Sequence, residues 1–192
     1  MEVKLKPADI FLTRGSSFIS KAIRFFSRTI GESRTKVNHV GIVVGEGTLQ
    51  DCLVIEALSK VKKHKLWDQY GPTRKDLVAV FRPINLNEED AKIIVDKANE
   101  QVGRKYGYWK IVTHLLDWFL LGAYVFRRLT NNGKYPICSW LVAHAYAKAK
   151  KYFGCDPGAA EPDDIWDFVN KHNDKYHEIY PLSSIWKNKV NK

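Results

Sequence analysis

Three residues in this chain combine a reactive type with a telling position. Cys138 lies in Tyr135-Pro136-Ile137-Cys138-Ser139-Trp140-Leu141-Val142, which reads as a loop running into a helix. At a first helical turn, free backbone N–H groups and the helix dipole favour a thiolate. His39 sits inside the apolar run Val37-Asn38-His39-Val40-Gly41-Ile42-Val43-Val44. Strand alternation puts His39, Gly41 and Val43 on one face, and Gly41 leaves room beside the ring for another group. Glu56 sits in Leu53-Val54-Ile55-Glu56-Ala57-Leu58, where a carboxylate is costly unless paired. A hairpin between these strands would set Glu56 beside His39, fix its tautomer and stabilise its imidazolium. Together the three residues suit nucleophilic catalysis by a thiol, which needs a base in reach and a partner to orient that base.

Each residue also has a plain structural role open to it. A lone histidine in a strand is commonly a satisfied core residue. Glu56 could form an ion pair with Lys60 or Arg82, and a free cysteine is often a small buried hydrophobe. Cys52, in a strand, and Cys155, in a Gly-Pro loop, have no helix start behind them. At 100° per residue, Cys138, Leu141, Val142, Ala145 and Ala149 share one helix face. Trp140, His144 and Lys148 lie on the other, so His144 points outward and is not the base. His64, His172 and His177 stand in polar, lysine-rich surroundings. His114 shares a polar stripe with Asp117.

The elements that must position these groups follow from periodicity. Asp9 to Thr13 reads as a strand, followed by a helix with Phe18, Ile19, Ala22, Ile23 and Phe26 inward. Val37 to Val44 and Asp51 to Leu58 are strands joined as a hairpin, and Val61 to Leu66 continues the sheet. Leu77 to Phe81 is a buried strand ended by Pro83. Asn87 opens a helix with three acids in its first turn and Ala91, Ile94, Val95, Ala98 and Val102 inward, and Gly103 stops it. Tyr108 to about Leu121 is a nearly all-apolar helix. Asp163 to Val169 is a short helix, and Tyr176 to Tyr180 a last strand.

The whole chain narrows the class. Its 192 residues suit one domain, with a core over about 8–170 and a basic tail over about 182–192. Three scattered cysteines make neither a disulfide framework nor a metal site, and no cofactor is expected. The N-terminus lacks the apolar core of a signal peptide. The apolar region Ile111 to Phe126 contains His114 and Asp117 and is too short to span a membrane. A cytoplasmic protein is expected. The net charge of +10 suits contact with anionic membrane or cell wall, but no basic helix dominates and nucleic acid is not expected.

The order of motifs carries a resemblance. Asp9-Ile10-Phe11 is followed by Ser16-Ser17-Phe18-Ile19-Ser20-Lys21-Ala22-Ile23, then by Asn38-His39-Val40-Gly41-Ile42-Val43-Val44 and Val54-Ile55-Glu56-Ala57. Lys105-Tyr106-Gly107-Tyr108 and Ile137-Cys138-Ser139-Trp140-Leu141-Val142 complete the set. Over roughly Ala8 to Val169 the chain resembles the circularly permuted papain-like cysteine hydrolases of the NlpC/P60 superfamily, YiiX/YaeF-like branch. The resemblance implies an α+β fold, with a small, mostly antiparallel sheet or open barrel and packed helices. The Cys138 helix would pack on the sheet that carries His39 and Glu56.

It further implies Cys138 as nucleophile, His39 as base and acid, Glu56 as orienter, and the Cys138 N–H as an oxyanion donor. Tyr106 would line the site or aid the oxyanion, and Asp163 would be structural. The substrate implied is an amide or related acyl bond in a cell-wall peptide or acyl conjugate, with the 111–126 region as lid or pocket wall. Three positions depart from the pattern: Ala8 for glycine, Gly107 for aspartate and Trp140 for glutamate. Two rivals remain. A lecithin:retinol acyltransferase-like lipid acyltransferase or phospholipase shares the order of histidine before cysteine. A non-catalytic binding module for an anionic polymer rests on charge alone.

Overall fold

The computed structural model describes residues 3–15, 35–106 and 136–185. The expected helices over 18–26 and 108–121, with His114, Asp117 and the 111–126 wall, lie outside the described residues. Eight strands are described: β1 (Lys4–Leu5), β2 (Ile10–Arg14), β3 (His39–Val43), β4 (Gly47–Thr48), β5 (Leu53–Ala57), β6 (Val61–Lys65), β7 (Leu77–Pro83) and β8 (Tyr176–Ser183). Four helices accompany them: α1 (Leu66–Tyr70), α2 (Glu88–Asn99), α3 (Cys138–Lys148) and α4 (Pro162–Lys171).

Six strands form an open sheet in the order β6-β5-β3-β2-β7-β8, with every neighbour antiparallel. β1 and β4 pair separately. The fold is therefore α+β with a mostly antiparallel sheet, and among the described residues that sheet closes into no barrel. Among the described residues no helix is long and apolar enough to cross a membrane.

Strand alternation divides the core in two. Ile10, Leu12, Val40, Ile42, Ile55, Ala57, Ala79 and Phe81 point to one face, where Cys138, Leu141, Val142 and Ala145 of α3 cover them. Each such Ile or Leu, fully buried, contributes about 1.5–3 kcal/mol. Phe11, Val43, Val54, Val78 and Val80 point to the other face and meet Leu66 and Tyr70 of α1.

Local chemistry sets the helix ends. Asn87 caps α2 by accepting the Asp90 N–H at 2.7 Å, with Glu88, Glu89 and Asp90 in the first turn. Pro162 opens α4 within a capping box of Glu161 and Asp164. The inward stripe of α2 is shorter than its periodicity predicts. Ile94 and Ala98 are buried, but the helix ends at Asn99 and Val102 beyond it is exposed. Gly103 then turns the chain at φ +88°. From there residues 103–106 run along the outer edge of β6, where Val61 N–H donates to the Arg104 carbonyl and Gly103 N–H to the Val61 carbonyl, both at 2.9 Å.

Candidate active site

Glu56 is the fixed point of the site. It is fully buried on β5, opposite Gly41 of β3. A Cβ built on Gly41 would stand 2.4 Å from the Phe11 ring and 3.0 Å from Glu56 Cβ. The missing side chain thus makes room for Phe11 and lets Glu56 lie close to the strand.

His39 is two residues before Gly41, on the same face, and meets Glu56 across the diagonal. Its Nε2 lies 2.5 Å from Glu56 Oε2. The Tyr70 hydroxyl donates to the same oxygen at 2.6 Å. Arg82, a conceivable partner for Glu56, is engaged elsewhere: it forks onto Asp9 at 2.9 and 2.7 Å and donates to the Lys4 carbonyl.

Cys138 opens α3, with Ile137 in extended conformation before it. The helix packs on the expected sheet, but on the face opposite Glu56. Contact is made at the end of the sheet. β3 pairs with β5 only from Gly41 onward, and the thiol sulfur takes the Val40 N–H as well as that of Ser139. His39, the first residue of β3, reaches both groups: Glu56 holds its Nε2, and the thiol lies within hydrogen-bond range. Nδ1 is therefore the nitrogen left for the thiol proton. Cys138 is 5% exposed and the His39 side chain 13%, so the pair is sheltered but reachable.

The electrostatics follow from these contacts. Burial opposes charge on His39, but Cys138 and Glu56 outweigh it and raise its pKa to about 10. Burial would raise the Cys138 thiol. The His39 charge and the two backbone N–H groups overcome that and bring it below the usual thiol range. Burial likewise works against ionised Glu56, yet His39, His64 and Tyr70 hold its pKa down at about 2. The other cysteines go the opposite way. Burial lifts Cys52 to about 12 and, with nearby acids, Cys155 to about 11.

The structure thus brings Cys138, His39 and Glu56 together. Tyr106 is half-buried against the core cluster that includes Cys138, and its N–H bonds the Ser59 carbonyl at 3.2 Å. Trp140 departs from the outward position that the helix count assigns it. It is buried, and its ring stacks on His144 at 3.9 Å between centroids. Two residues of the site are missed by sequence reasoning. His64 reaches Glu56 Oε1 with its Nε2 at 2.8 Å, although its lysine-rich surroundings suggest a surface residue. The alternation of Val61 to Lys65 carries the signal, since it sets His64 on the face of Val54 and Glu56. Tyr70 belongs to a five-residue helix with no periodicity to read.

No family model matches the sequence, and no curated protein matches it. A solved structure does: that of the metalloprotein YiiX from Escherichia coli O157:H7, DUF1105. The match covers 93% of this chain and 86% of that one, at a TM-score of 0.53 and 17% identity. The fold is YiiX-like. At that identity the likeness to YiiX speaks for the fold alone.

Proposed function

We propose that this YiiX-like protein is a thiol hydrolase of the permuted papain-like, NlpC/P60-related kind, acting on an amide or related acyl bond. The observation that carries this reading is the contact chain from Cys138 through His39 to Glu56, with the thiol at a helix start. In the resting state the proton sits on His39 and the thiolate on Cys138. The thiolate attacks the substrate carbonyl carbon, and the backbone N–H of Cys138 is one donor to the oxyanion. His39 gives its Nδ1 proton to the leaving amine or alcohol as the carbon–heteroatom bond breaks, which leaves a thioester on Cys138. His39 then takes a proton from water, the hydroxide attacks the thioester, and the acid leaves as Cys138 regains its thiolate. Glu56 holds the ring orientation and balances the imidazolium throughout.

YiiX is described as a metalloprotein, and the donors here bear on whether this chain would hold an ion at the site. Ligands about 2.1 Å from one tetrahedral ion stand roughly 3.4 Å apart. His39 instead lies 2.5 Å from Glu56 Oε2, a spacing that suits a shared proton, and His64 lies 2.8 Å from Oε1, closer than two ligands of one ion stand. Among the described residues no three His, Cys, Asp or Glu side chains are grouped to hold an ion. A metal ion does not fit this set.

The substrate class proposed is a cell-wall peptide or acyl conjugate. The test is to incubate the protein with muropeptides and, separately, with acyl-lipid micelles, then quench in acid and record the intact mass. Product release from muropeptides and an acyl adduct on Cys138 are expected, both lost in Cys138→Ala. Release from micelles alone would move the substrate to lipid. No release and no adduct from either would contradict the reading.

A further inference from the structure

Glu56 meets two histidines. β6 runs beside β5 with Lys62 opposite Glu56 and His64 opposite Val54. On the other side, β3 sets Gly41 opposite Glu56 and His39 two residues away. One histidine therefore reaches the carboxylate along the diagonal from each flanking strand, one per oxygen.

Both ring nitrogens of His64 face acceptors. Nδ1 lies 2.9 Å from the Lys65 carbonyl oxygen and Nε2 2.8 Å from Glu56 Oε1. The Lys65 carbonyl takes the Nδ1 proton, which leaves Nε2 as the edge set against a buried carboxylate, and only the imidazolium puts opposite charges there. The Nε2 contact lies off the N–H direction, so its attraction is mainly charge on charge. We propose that His64 stands as an imidazolium that positions Glu56 and, through Glu56 and His39, supports the Cys138 thiolate.

This role rests on the thiol-hydrolase reading and extends it by one residue. The site then becomes a row of four charges of alternating sign: thiolate, imidazolium, carboxylate, imidazolium. Their sum is zero, which suits a buried cluster. The groups that bear on His64 come from each neighbouring element. Glu56 of β5 and Asp68 of α1 favour its charge, and His39 of β3 when charged, with Lys62 and Lys65 on its own strand, opposes it. Tyr70 of α1 shares Glu56 with it. Burial also opposes the charge, and Glu56, the Lys65 carbonyl and Asp68 outweigh it, so the His64 pKa stands above the ordinary histidine value.

Two measurements test this. In the unmodified protein, ring nitrogen NMR of His64 should show both nitrogens protonated at pH 7.5, about one unit above the ordinary histidine midpoint. A neutral His64 ring at that pH would overturn the proposal. The second measurement is the pH profile of Cys138 alkylation by iodoacetamide in wild type, His64→Gln and His64→Lys. Loss of the positive charge in His64→Gln should raise the thiolate midpoint by about half a unit or more, and His64→Lys should recover part of that shift. A depressed wild-type midpoint left unmoved by His64→Gln overturns the role of His64 alone. A wild-type midpoint no lower than that of Cys155 overturns the hydrolase reading beneath it.

Discussion

Glu56 shows how a residue can be dear to bury and still anchor a site. An isolated carboxylate in this position would simply take a proton. His39 and Tyr70 hydrogen-bond it, the His64 ring lies 2.8 Å from its other oxygen, and together these three keep it ionised. The effect is visible in stability. The unfolded carboxylate protonates around its ordinary value of 4.5, the folded one only at about 2. Its contribution is thus present above about pH 4.5 and lost as the pH falls towards 2. Urea titrations of wild type and Glu56→Gln should differ most at pH 5–7 and converge towards pH 2. A gap that stays constant over that window would contradict the ionised state. His39 acts in the opposite sense: its raised pKa lends stability below about 6.5, lost as the pH rises through about 10.

The elements explain why these side chains meet. Cys138 and Glu56 belong to opposite faces of the sheet, and a strand interior would have kept them apart. The end of β3 solves this, because β5 pairs with it only from Gly41 onward and its first residue, held by Thr13 on the other side, can bridge the two faces. Gly41 is the complementary device. Any side chain there would displace the Phe11 ring and press on Glu56. Gly41→Ala should lower stability by about 1–3 kcal/mol and also cut Cys138 reactivity, since Glu56 would be pushed from its place beside His39. Thermal unfolding and alkylation rate read the two effects separately, and a variant with both unchanged would contradict this packing. Ala8 marks another element boundary. It holds φ +68°, the left-handed region where glycine is at ease, at the position where the resembled family has glycine. The Tyr146 hydroxyl donates to its carbonyl and pins it from α3.

Across the whole molecule, what was legible followed the strength of periodicity. The alternating strands, their hairpin and the Asn87 start of α2 could be read because each is a local pattern with one outcome. His39, Glu56 and Cys138 stood out as polar or reactive groups set in apolar runs. Other features depend on contacts that no local pattern encodes. Trp140 is buried and stacks on His144, although the helix count turns it outward. His64 looked like part of a solvated lysine run until the register of β6 on β5 turned it inward. The closeness of Cys138 to residues about a hundred positions earlier comes from α3 crossing the end of the sheet, and family resemblance pointed there where spacing could not.

The central claim is that Cys138 is held as a thiolate by His39. The most direct measurement is the iodoacetamide alkylation rate of each cysteine at pH 7, resolved by peptide mass. Cys138 should react fastest, well ahead of Cys52 and Cys155, whose thiols burial pushes up to about 12 and 11. His39→Ala should slow Cys138 by about tenfold or more. Cys138 reacting slowest of the three, or at an unchanged rate in His39→Ala, would contradict the account.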